Sequence, residues 1–95
     1  MAGKVFTLQI YTQASKVFEA DDVNMVSFPA EDGSMGVLAN HAPMIAVLGK
    51  GSVAIRQASQ PDDEPRTFAI EGGFLEVASN RATILTDRFD DTNRA

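Results

Sequence analysis

The stretch "FLEVASNRATIL", residues 74–85, carries the signs of a β-hairpin. Apolar and β-branched residues flank Ser79-Asn80 on both sides, and asparagine tolerates the positive φ that a two-residue hairpin turn requires. We therefore predict two antiparallel strands that are joined at Ser79-Asn80.

Short apolar-rich segments of the same kind recur along the chain at spacings of about 10 residues. In "VFTLQIY", residues 5–11, Phe6, Leu8 and Ile10 share one face by period two. Comparable segments are "SKVFEA", "DVNMVSF", "SVAIRQA", "RTFAIEG", "GFLEVAS" and "RATILTD". No apolar stripe of 3.6-residue period reaches helical length. The sequence therefore predicts an all-β fold, an antiparallel sandwich or barrel.

Turn-forming residues separate these segments. They predict breaks at Ala20-Asp21-Asp22, from Pro29 to Gly36, at Lys50-Gly51, in "SQPDDEP" at 59–65, and at Gly72-Gly73. Gly33 and Gly36 are expected to supply positive φ at the two ends of a turn or bulge. Gly72-Gly73 is expected to form a sharp corner, and Pro43, which lacks an amide donor, to lie at an edge or corner.

The composition of the 95-residue chain indicates one small domain with a single core, because 44% of the residues are hydrophobic. Its apolar runs are much shorter than the roughly 20 residues of a membrane-spanning helix. No signal-peptide pattern opens the chain, so we expect a cytosolic protein. A net charge of -5 without a dense Lys/Arg cluster argues against nucleic acid and against direct insertion into lipid. The absence of cysteine excludes thiolate metal sites and cysteine nucleophiles.

The single histidine, His41, is the candidate for acid-base chemistry. An enzyme hypothesis would use His41 as a base with Glu31 or Asp32 as its partner, which requires the groups to meet in a pocket. The alternative, which we favour, is that His41 packs or hydrogen-bonds to fix a corner. One histidine, with aspartate pairs that lack calcium-loop spacing, predicts no metal site. We accordingly predict no catalytic residue, no metal and no cofactor.

Several short motifs occur together in an order that resembles one known family. They are Pro29, Gly33, Gly36 and Leu38, then His41-Ala42-Pro43, Gly51, Gly72-Gly73-Phe74, Glu76-Val77 and Asn80-Arg81. From about Phe6 to Asp87 the chain resembles the N-terminal domain of the epsilon subunit of F-type ATP synthase. It departs from the family at Ala39-Asn40, where many members have Pro-Gly. The resemblance implies a flattened antiparallel β-sandwich of about ten short strands.

The resemblance also implies a role. Members of the family are non-catalytic rotor subunits of the central stalk, which link gamma to the c-ring and couple rotation to ATP synthesis in a proton- or sodium-translocating complex. The implied partners are the gamma subunit, the c-ring subunits and the remainder of the ATP synthase. The implied location is peripheral, at the cytoplasmic face of the inner or plasma membrane, through the complex. The alternative function is a free-standing β-sandwich module that binds a peptide or a carbohydrate.

Two sets of contact residues follow from the resemblance. The loop that faces the c-ring in the family corresponds to Glu31, Asp32, Gly33, Ser34 and Met35. The segments that lie near gamma correspond to Thr12, His41, Met44 and Ala46. Acidic side chains in the first set are expected to pair with basic loops of the ring and to set register more than affinity.

The last residues of the chain change in character. Residues 1–87 are expected to form the sandwich domain. Residues 88–95, "RFDDTNRA", are expected to form a polar tail, either a frayed end or the first turn of the helical domain that the family usually has. We expect neither ATP binding nor inhibition through extended helices from this chain, because the helical pair is missing.

Overall fold

A computed structural model describes residues 4–31, 33–59 and 65–91 of the chain. These residues contain seven strands and no helix, so they include no helical segment able to cross a membrane. The strands are β1 (Phe6–Tyr11), β2 (Lys16–Ala30), β3 (Gly33–Leu38), β4 (Met44–Gln57), β5 (Arg66–Ala78), β6 (Arg81–Leu85) and β7 (Phe89–Asp91). The predicted all-β class is confirmed.

Hydrogen-bonded neighbours close the sheet into a ring. The strand order is β1-β6-β5-β4-β2-β3, β1 also pairs with β2, and β7 pairs with β5. Every pairing is antiparallel except that of β1 with β6, which is parallel. The first strand of the chain is therefore held between two neighbours and does not lie at an edge.

Three long strands bend and contribute to both layers of a sandwich. The first layer contains residues 16–23 of β2, then β1, β6, residues 73–78 of β5 and residues 44–48 of β4. The second layer contains β3, then residues 23–30 of β2, 50–57 of β4 and 66–71 of β5, and finally β7. The four short strands and the two parts of each long strand agree with the expected number of about ten short segments. Extents of 36 × 35 × 26 Å give the flattened shape that the resemblance implied.

The predicted breaks at three turn signals are wrong, because each lies inside a long strand. Residues 20–22 belong to β2, residues 50–51 to β4 and residues 72–73 to β5. Gly72 and Gly73 have φ of +82° and +132°, and β5 pairs with β4 on both sides of them. Positive φ thus bends β5 from one layer into the other without ending the strand.

The predicted break from Pro29 to Gly36 is instead a hairpin. β2 continues to Ala30, which pairs with Gly33 at the start of β3. Gly33 has the expected positive φ of +129°. Gly36 does not have a positive φ, so it is not the second turn residue; it pairs with Ser27 in a regular ladder. The longer loop predicted at 59–65 has its residues 60–64 outside the described residues.

The tail contains a strand where the sequence predicted a frayed end or a helical turn. Residues 89–91 form β7, in which Phe89 pairs with Ile70 of β5. Residues 92–95 lie outside the described residues. The domain boundary at residue 87 stays a prediction.

One hydrophobic core fills the space between the layers, with Phe6, Leu8 and Ile10 buried as predicted. Around Phe68 the core contains an aromatic cluster. The ring of Phe68 lies 5.3 Å from that of Phe18 and 4.5 Å from that of Phe89, measured between ring centroids. The cluster joins β2, β5 and β7, so it ties the last described strand to both layers.

The turn at Ser79-Asn80 has the predicted form. Both residues have positive φ, +53° and +59°, as a two-residue hairpin requires. The Asn80 side chain accepts a hydrogen bond from the amide of Asn40 at 2.7 Å and donates one to the carbonyl of Val5 at 3.0 Å. Asn40 has φ of +63°, so it takes the left-handed conformation, which asparagine adopts more readily than most other residues. Asn80 thus fixes the corner that precedes His41.

Asp22 caps the turn that follows β4. Its carboxylate accepts hydrogen bonds from Gln57 Nε2 at 3.0 Å and from the amide of Ser59 at 3.2 Å. These bonds, above all the one from Gln57, hold the pKa of Asp22 below its ordinary value of 3.8. Because the folded pKa is the lower one, the contribution of Asp22 to stability is present above the unfolded pKa and is lost as the pH falls through the folded pKa.

We expect Asp22→Ala to lower the free energy of unfolding at neutral pH by about 1 kcal/mol, because the Gln57 and Ser59 donors lose their acceptor. The difference between wild type and variant should shrink below about pH 4. Urea unfolding at about pH 7 and about pH 3 measures both effects. Asp21→Ala is the control, because the exposed Asp21 side chain makes no hydrogen bond within the described residues. Equal losses in the two variants would contradict the capping role.

Candidate functional site

The structure separates the groups of the enzyme hypothesis. Glu31 lies in the turn before β3, and His41 follows the end of that six-residue strand. At about 3.3 Å per residue, the strand that separates the two positions is roughly 17 Å long. His41 Nδ1 lies 2.8 Å from the carbonyl oxygen of Ala42, a local contact that fits the corner-fixing role. Asp32, the other partner in that hypothesis, lies outside the described residues.

The described residues offer surfaces rather than a cluster of metal-binding or catalytic groups. No set of three or more His, Asp or Glu side chains in residues 4–31, 33–59 and 65–91 could hold a metal ion. One surface lies at the tip of the β2–β3 hairpin and the other on the outer face of the first layer. The described residues of the two sets from the resemblance fall on or beside these surfaces.

The described members of the set assigned to the c-ring lie at the tip of the β2–β3 hairpin. Ala30 pairs with Gly33, and Glu31 lies in the turn between them. Glu31, Gly33, Ser34 and Met35 are exposed. A Cβ atom at Gly33 would meet no atom within 4 Å, as expected for a tip that projects into solvent. Contact of these residues with a ring stays a prediction.

The set assigned to gamma is divided between two places. Thr12 begins the turn after β1, where its hydroxyl accepts hydrogen bonds from the amides of Ala14 at 3.3 Å and Ser15 at 3.4 Å. His41 lies at the corner before β4, followed by Pro43, which lies outside any strand as predicted for a corner. The structure therefore does not bring Thr12 and His41 into one cluster.

Met44 and Ala46 have side chains that turn partly inward. Both are half-buried and pack against the core, because they occupy the core-facing phase of β4. Their neighbours Ile45 and Val47 point outward and are 74% and 45% exposed. Whether Met44 and Ala46 contact gamma stays a prediction, but the side chains open to a partner here are Ile45 and Val47.

The exposed side chains of β4 continue into an apolar patch, which we define as Ile45, Val47, Phe74 and Leu85. Val47 lies opposite Phe74 on β5, and Phe74 lies opposite Leu85 on β6. Phe74 is 56% and Leu85 is 48% exposed. Tyr11 of β1, which is opposite Leu85, extends the row toward Thr12. Contiguous exposed apolar side chains of this kind mark interaction sites.

The apolar patch left a signal in the sequence that the period-two analysis did not use. "MIAVL", residues 44–48, is apolar at every position, and the hairpin has apolar neighbours at 74–75 and at 84–85. A strand that is apolar at both its odd and its even positions has apolar side chains on its outer face as well as on its inner face. This reasoning would have found Ile45, Val47, Phe74 and Leu85.

A hollow of about 290 Å³ connects the hairpin tip with β4. It is lined by Ala30, Glu31, Met35, Ala46 and Val47. Met35 belongs to the set assigned to the ring and Ala46 to the set assigned to gamma, so the structure brings members of the two sets together. The hairpin tip and the apolar patch are therefore adjacent surfaces.

The fold and the patch define the class of protein: a small two-layer β-sandwich with an exposed apolar patch on its outer face. Residues 5–91 match the family described as "ATP synthase, Delta/Epsilon chain, beta-sandwich domain". The chain belongs to this family, and the family resemblance found in the sequence is confirmed.

Curated relatives carry the name "ATP synthase epsilon chain". The relative from Roseiflexus sp. strain RS-1 is 42% identical over 91 residues, which are 93% of this chain and 62% of the relative. The relative from Chlorobaculum tepidum is 40% identical over 86 residues, which are 90% of this chain and 93% of the relative. The chain thus spans less than two thirds of the Roseiflexus relative and nearly all of the Chlorobaculum relative.

Two solved assemblies contain a chain of similar fold. One is the central stalk/c-ring of the Tetrahymena thermophila mitochondrial ATP synthase, with a TM-score of 0.79, 17% identity, and coverage of 99% of this chain and 72% of that chain. The other is the OSCP/F1/c-ring of the Euglena gracilis mitochondrial ATP synthase, with a TM-score of 0.81, 21% identity, and coverage of 100% and 57%. At these identities the likeness concerns the fold.

Proposed function

We propose that this chain is a non-catalytic rotor component of an F-type ATP synthase, in which it links the gamma subunit to the c-ring and couples rotation to ATP synthesis. The observation that carries the proposal is the family match over residues 5–91, which covers the whole described sandwich. The apolar patch supplies the docking surface that such a role needs. In this role the chain is peripheral to the inner or plasma membrane, at its cytoplasmic face, and proton or sodium flow drives the rotor.

Gamma docks on the apolar patch in this proposal. Phe74 is at the centre of the patch, between Val47 on one side and Leu85 on the other. Central aromatic side chains that become buried carry much of the binding free energy at protein interfaces. Thr12 and His41 lie outside this centre and act as rim contacts, where burial is less complete.

The tip of the β2–β3 hairpin rests on the ring in this proposal. Its side chains are exposed, and Glu31 offers a carboxylate to basic ring loops. Exposed ion pairs of this kind are screened by salt and contribute little affinity. The contact with the c-ring therefore fixes the position of the domain on the ring, while the apolar patch provides most of the affinity for gamma.

The closed sheet suits a part that has to transmit torque. β1, β6, β5, β4 and β2 form a closed path of hydrogen-bonded strands. Three of these strands pass through both layers, so the two layers share a backbone and cannot slide past each other. Close packing in the core resists further deformation.

Phe74→Glu tests the proposal, because it places a charge at the centre of the apolar patch. We expect the dissociation constant of the complex with gamma from the same organism to rise at least about 10-fold, by loss of apolar contact and burial of a charge. Isothermal titration calorimetry measures the constant. The control is Ser52→Glu, which adds the same charge at an exposed position of the second layer.

Two outcomes would contradict the proposal. Wild-type affinity of the Phe74→Glu variant would exclude the apolar patch as the gamma surface. Absence of any complex between the wild-type chain and gamma at micromolar concentrations would contradict the rotor role and favour the free-standing module that binds a peptide or a carbohydrate.

A further inference from the structure

The outer face of the first layer carries a continuous row of apolar side chains that crosses the strands. Val47 of β4 lies opposite Phe74 of β5, and Phe74 lies opposite Leu85 of β6. Leu85 in turn lies opposite Tyr11 of β1. Val47, Phe74 and Leu85 are exposed, and Tyr11 is half-buried. We call these four residues the apolar row; it contains one side chain from each of four neighbouring strands.

A second row runs beside the apolar row on the same face and is polar at four of its five positions. From β4 to β2 its members are Ile45, Glu76, Thr83, Gln9 and Glu19. The carboxylate of Glu19 is occupied, because it accepts a hydrogen bond from Gln9 at 3.0 Å and pairs with Lys16. Glu76, in contrast, forms no ion pair with any residue that the structure describes. An available negative charge therefore lies directly beside the apolar row.

The spacing of the apolar row matches an α-helix laid across the strands. Neighbouring strands lie about 4.8 Å apart, so the three steps from Val47 to Tyr11 cover about 14 Å. In a helix, residues i, i+3, i+7 and i+10 share one face, and the last lies about 15 Å along the axis from the first. An extended chain places side chains on one face only every 6.6 Å or so, and would need about 20 Å for four of them. A helix can therefore bring one apolar side chain to each strand.

We propose that gamma docks on this face through an amphipathic α-helix that lies across the strands, with four apolar side chains against the apolar row. The helix carries Lys or Arg on the flank that faces the second row, next to Glu76. The apolar contact supplies the affinity, and the charge fixes the rotation of the helix on the face. The proposal rests on the function proposed above, which supplies gamma as the partner, and adds the form and chemistry of the part of gamma that binds.

Two other occupants fit this face less well. A second copy of the chain offers no helix in its described residues, since their regular elements are all strands. A membrane surface is disfavoured because Glu76 and the net charge of -5 are repelled by anionic headgroups. A helix with an apolar stripe and a basic flank complements both rows at once.

Cross-linking tests the geometry of the complex with gamma. The chain contains no cysteine, so single cysteines can be introduced without background. Ile45→Cys and Gln9→Cys place them three strand steps apart in the second row. A benzophenone on each cysteine identifies the part of gamma that it meets, and disulfide formation with cysteines scanned along that part gives the register. We expect the two positions to reach gamma residues about 10 apart in one continuous segment. Ser52→Cys on the second layer is the control and should form no cross-link.

The outcomes separate the helix from the rotor role. Target residues about four apart would indicate an extended strand of gamma. Targets in separate segments of gamma would indicate a surface without a single docking helix. Either result would overturn the proposed helix and leave the rotor role intact, whereas absence of any complex with gamma would overturn both.

Glu76→Lys tests the basic flank of the helix. We expect the dissociation constant of the complex with gamma to rise at least about 3-fold at low salt, because an exposed attraction becomes a repulsion. The difference from wild type should shrink at about 0.5 M salt, where exposed charges are screened. Glu71→Lys is the matched control, since it makes the same change at an exposed position of β5 in the second layer, and we expect wild-type affinity. Equal effects of the two substitutions, or an effect of Glu76→Lys that does not change with salt, would overturn the proposal.

Discussion

Gly73→Ala is expected to lower the free energy of unfolding by at least about 3 kcal/mol, the sum of backbone strain and a backbone clash. A small domain has only about 5–15 kcal/mol of stability in total. The variant should therefore be largely unfolded at moderate temperatures, although it differs from the wild type by one methyl group.

Two independent observations at Gly73 support this expectation. Its φ of +132° lies in a region that essentially only glycine occupies. A Cβ atom there would lie 2.1 Å from the carbonyl oxygen of Leu85 and 3.0 Å from the Cα atom of Thr86. Both atoms belong to backbone that is itself fixed, since the amide of Thr86 donates to the carbonyl of Tyr11 at 2.9 Å and its buried hydroxyl donates to the carbonyl of Gly72 at 2.7 Å.

Gly36→Ala is the matched control for Gly73→Ala. Gly36 has an ordinary strand φ, and a Cβ atom there would lie 3.5 Å from Met25 Cε, a normal van der Waals distance. We expect a change in stability of less than about 1 kcal/mol, measured by urea unfolding monitored by circular dichroism. Similar stabilities of the two variants would show that the backbone at the bend of β5 can shift to accommodate a Cβ atom. That result would contradict the large loss expected for Gly73→Ala.

Phe68→Ala is expected to cost about 3–5 kcal/mol, the usual range for deletion of a buried phenylalanine ring. Phe68 is 2% exposed and lies between the rings of Phe18 and Phe89. The guanidinium of Arg66 lies 5.5 Å from the ring centroids of Phe18 and Phe68, so a cation–π contact is lost as well.

The same strand supplies the control for Phe68→Ala. Phe74→Ala removes the same ring from the exposed apolar patch, where we expect a loss of less than about 1 kcal/mol. Thermal and urea unfolding measure both variants. Amide exchange should also become faster at Phe89 in Phe68→Ala, because β7 loses the ring on which it stacks. Equal losses of stability in the two variants would mean that the aromatic cluster is not a principal part of the core.

The local features of the fold could be predicted from the sequence. Phe6, Leu8 and Ile10 alternate with polar neighbours, and the structure buries all three. Ser79 and Asn80 carry turn chemistry, and the hairpin turns there. In both cases the information lies within a few adjacent residues, so short-range patterns are sufficient.

The bends within strands could not be predicted in this way. Glycine pairs and aspartate pairs are compatible both with the end of a strand and with a bend inside it. At Gly72-Gly73 the ladder continues because β4 bends beside β5 and remains its partner on both sides. Tertiary pairing of this kind depends on residues that are far away in the sequence. Pairing with β5 is also the reason that residues 89–91 form a strand where the sequence predicted a polar tail.

For the candidate site, the family resemblance named residues that the structure places at the hairpin tip and at the corner before β4, but it did not indicate the direction of their side chains. Met44 and Ala46 face the core, and the exposed side chains are Ile45 and Val47. A shift of one residue along a strand moves a side chain to the opposite face of the sheet. A motif comparison does not determine which residues of a strand face outward. The apolar patch also needed the cross-strand register of three strands, which sequence patterns do not provide.

The parallel pair of β1 and β6 has a consequence for how the chain folds during synthesis. Thr7 lies opposite Arg81, so the ring of strands cannot close before the residues of β6 have left the ribosome. Contacts between such distant parts of the chain slow folding, because a long loop is ordered before the contact forms. Until then the apolar face of β1 lacks one of its two neighbours. β1, which is made before β6, is thus among the last of the seven described strands to complete its hydrogen bonds.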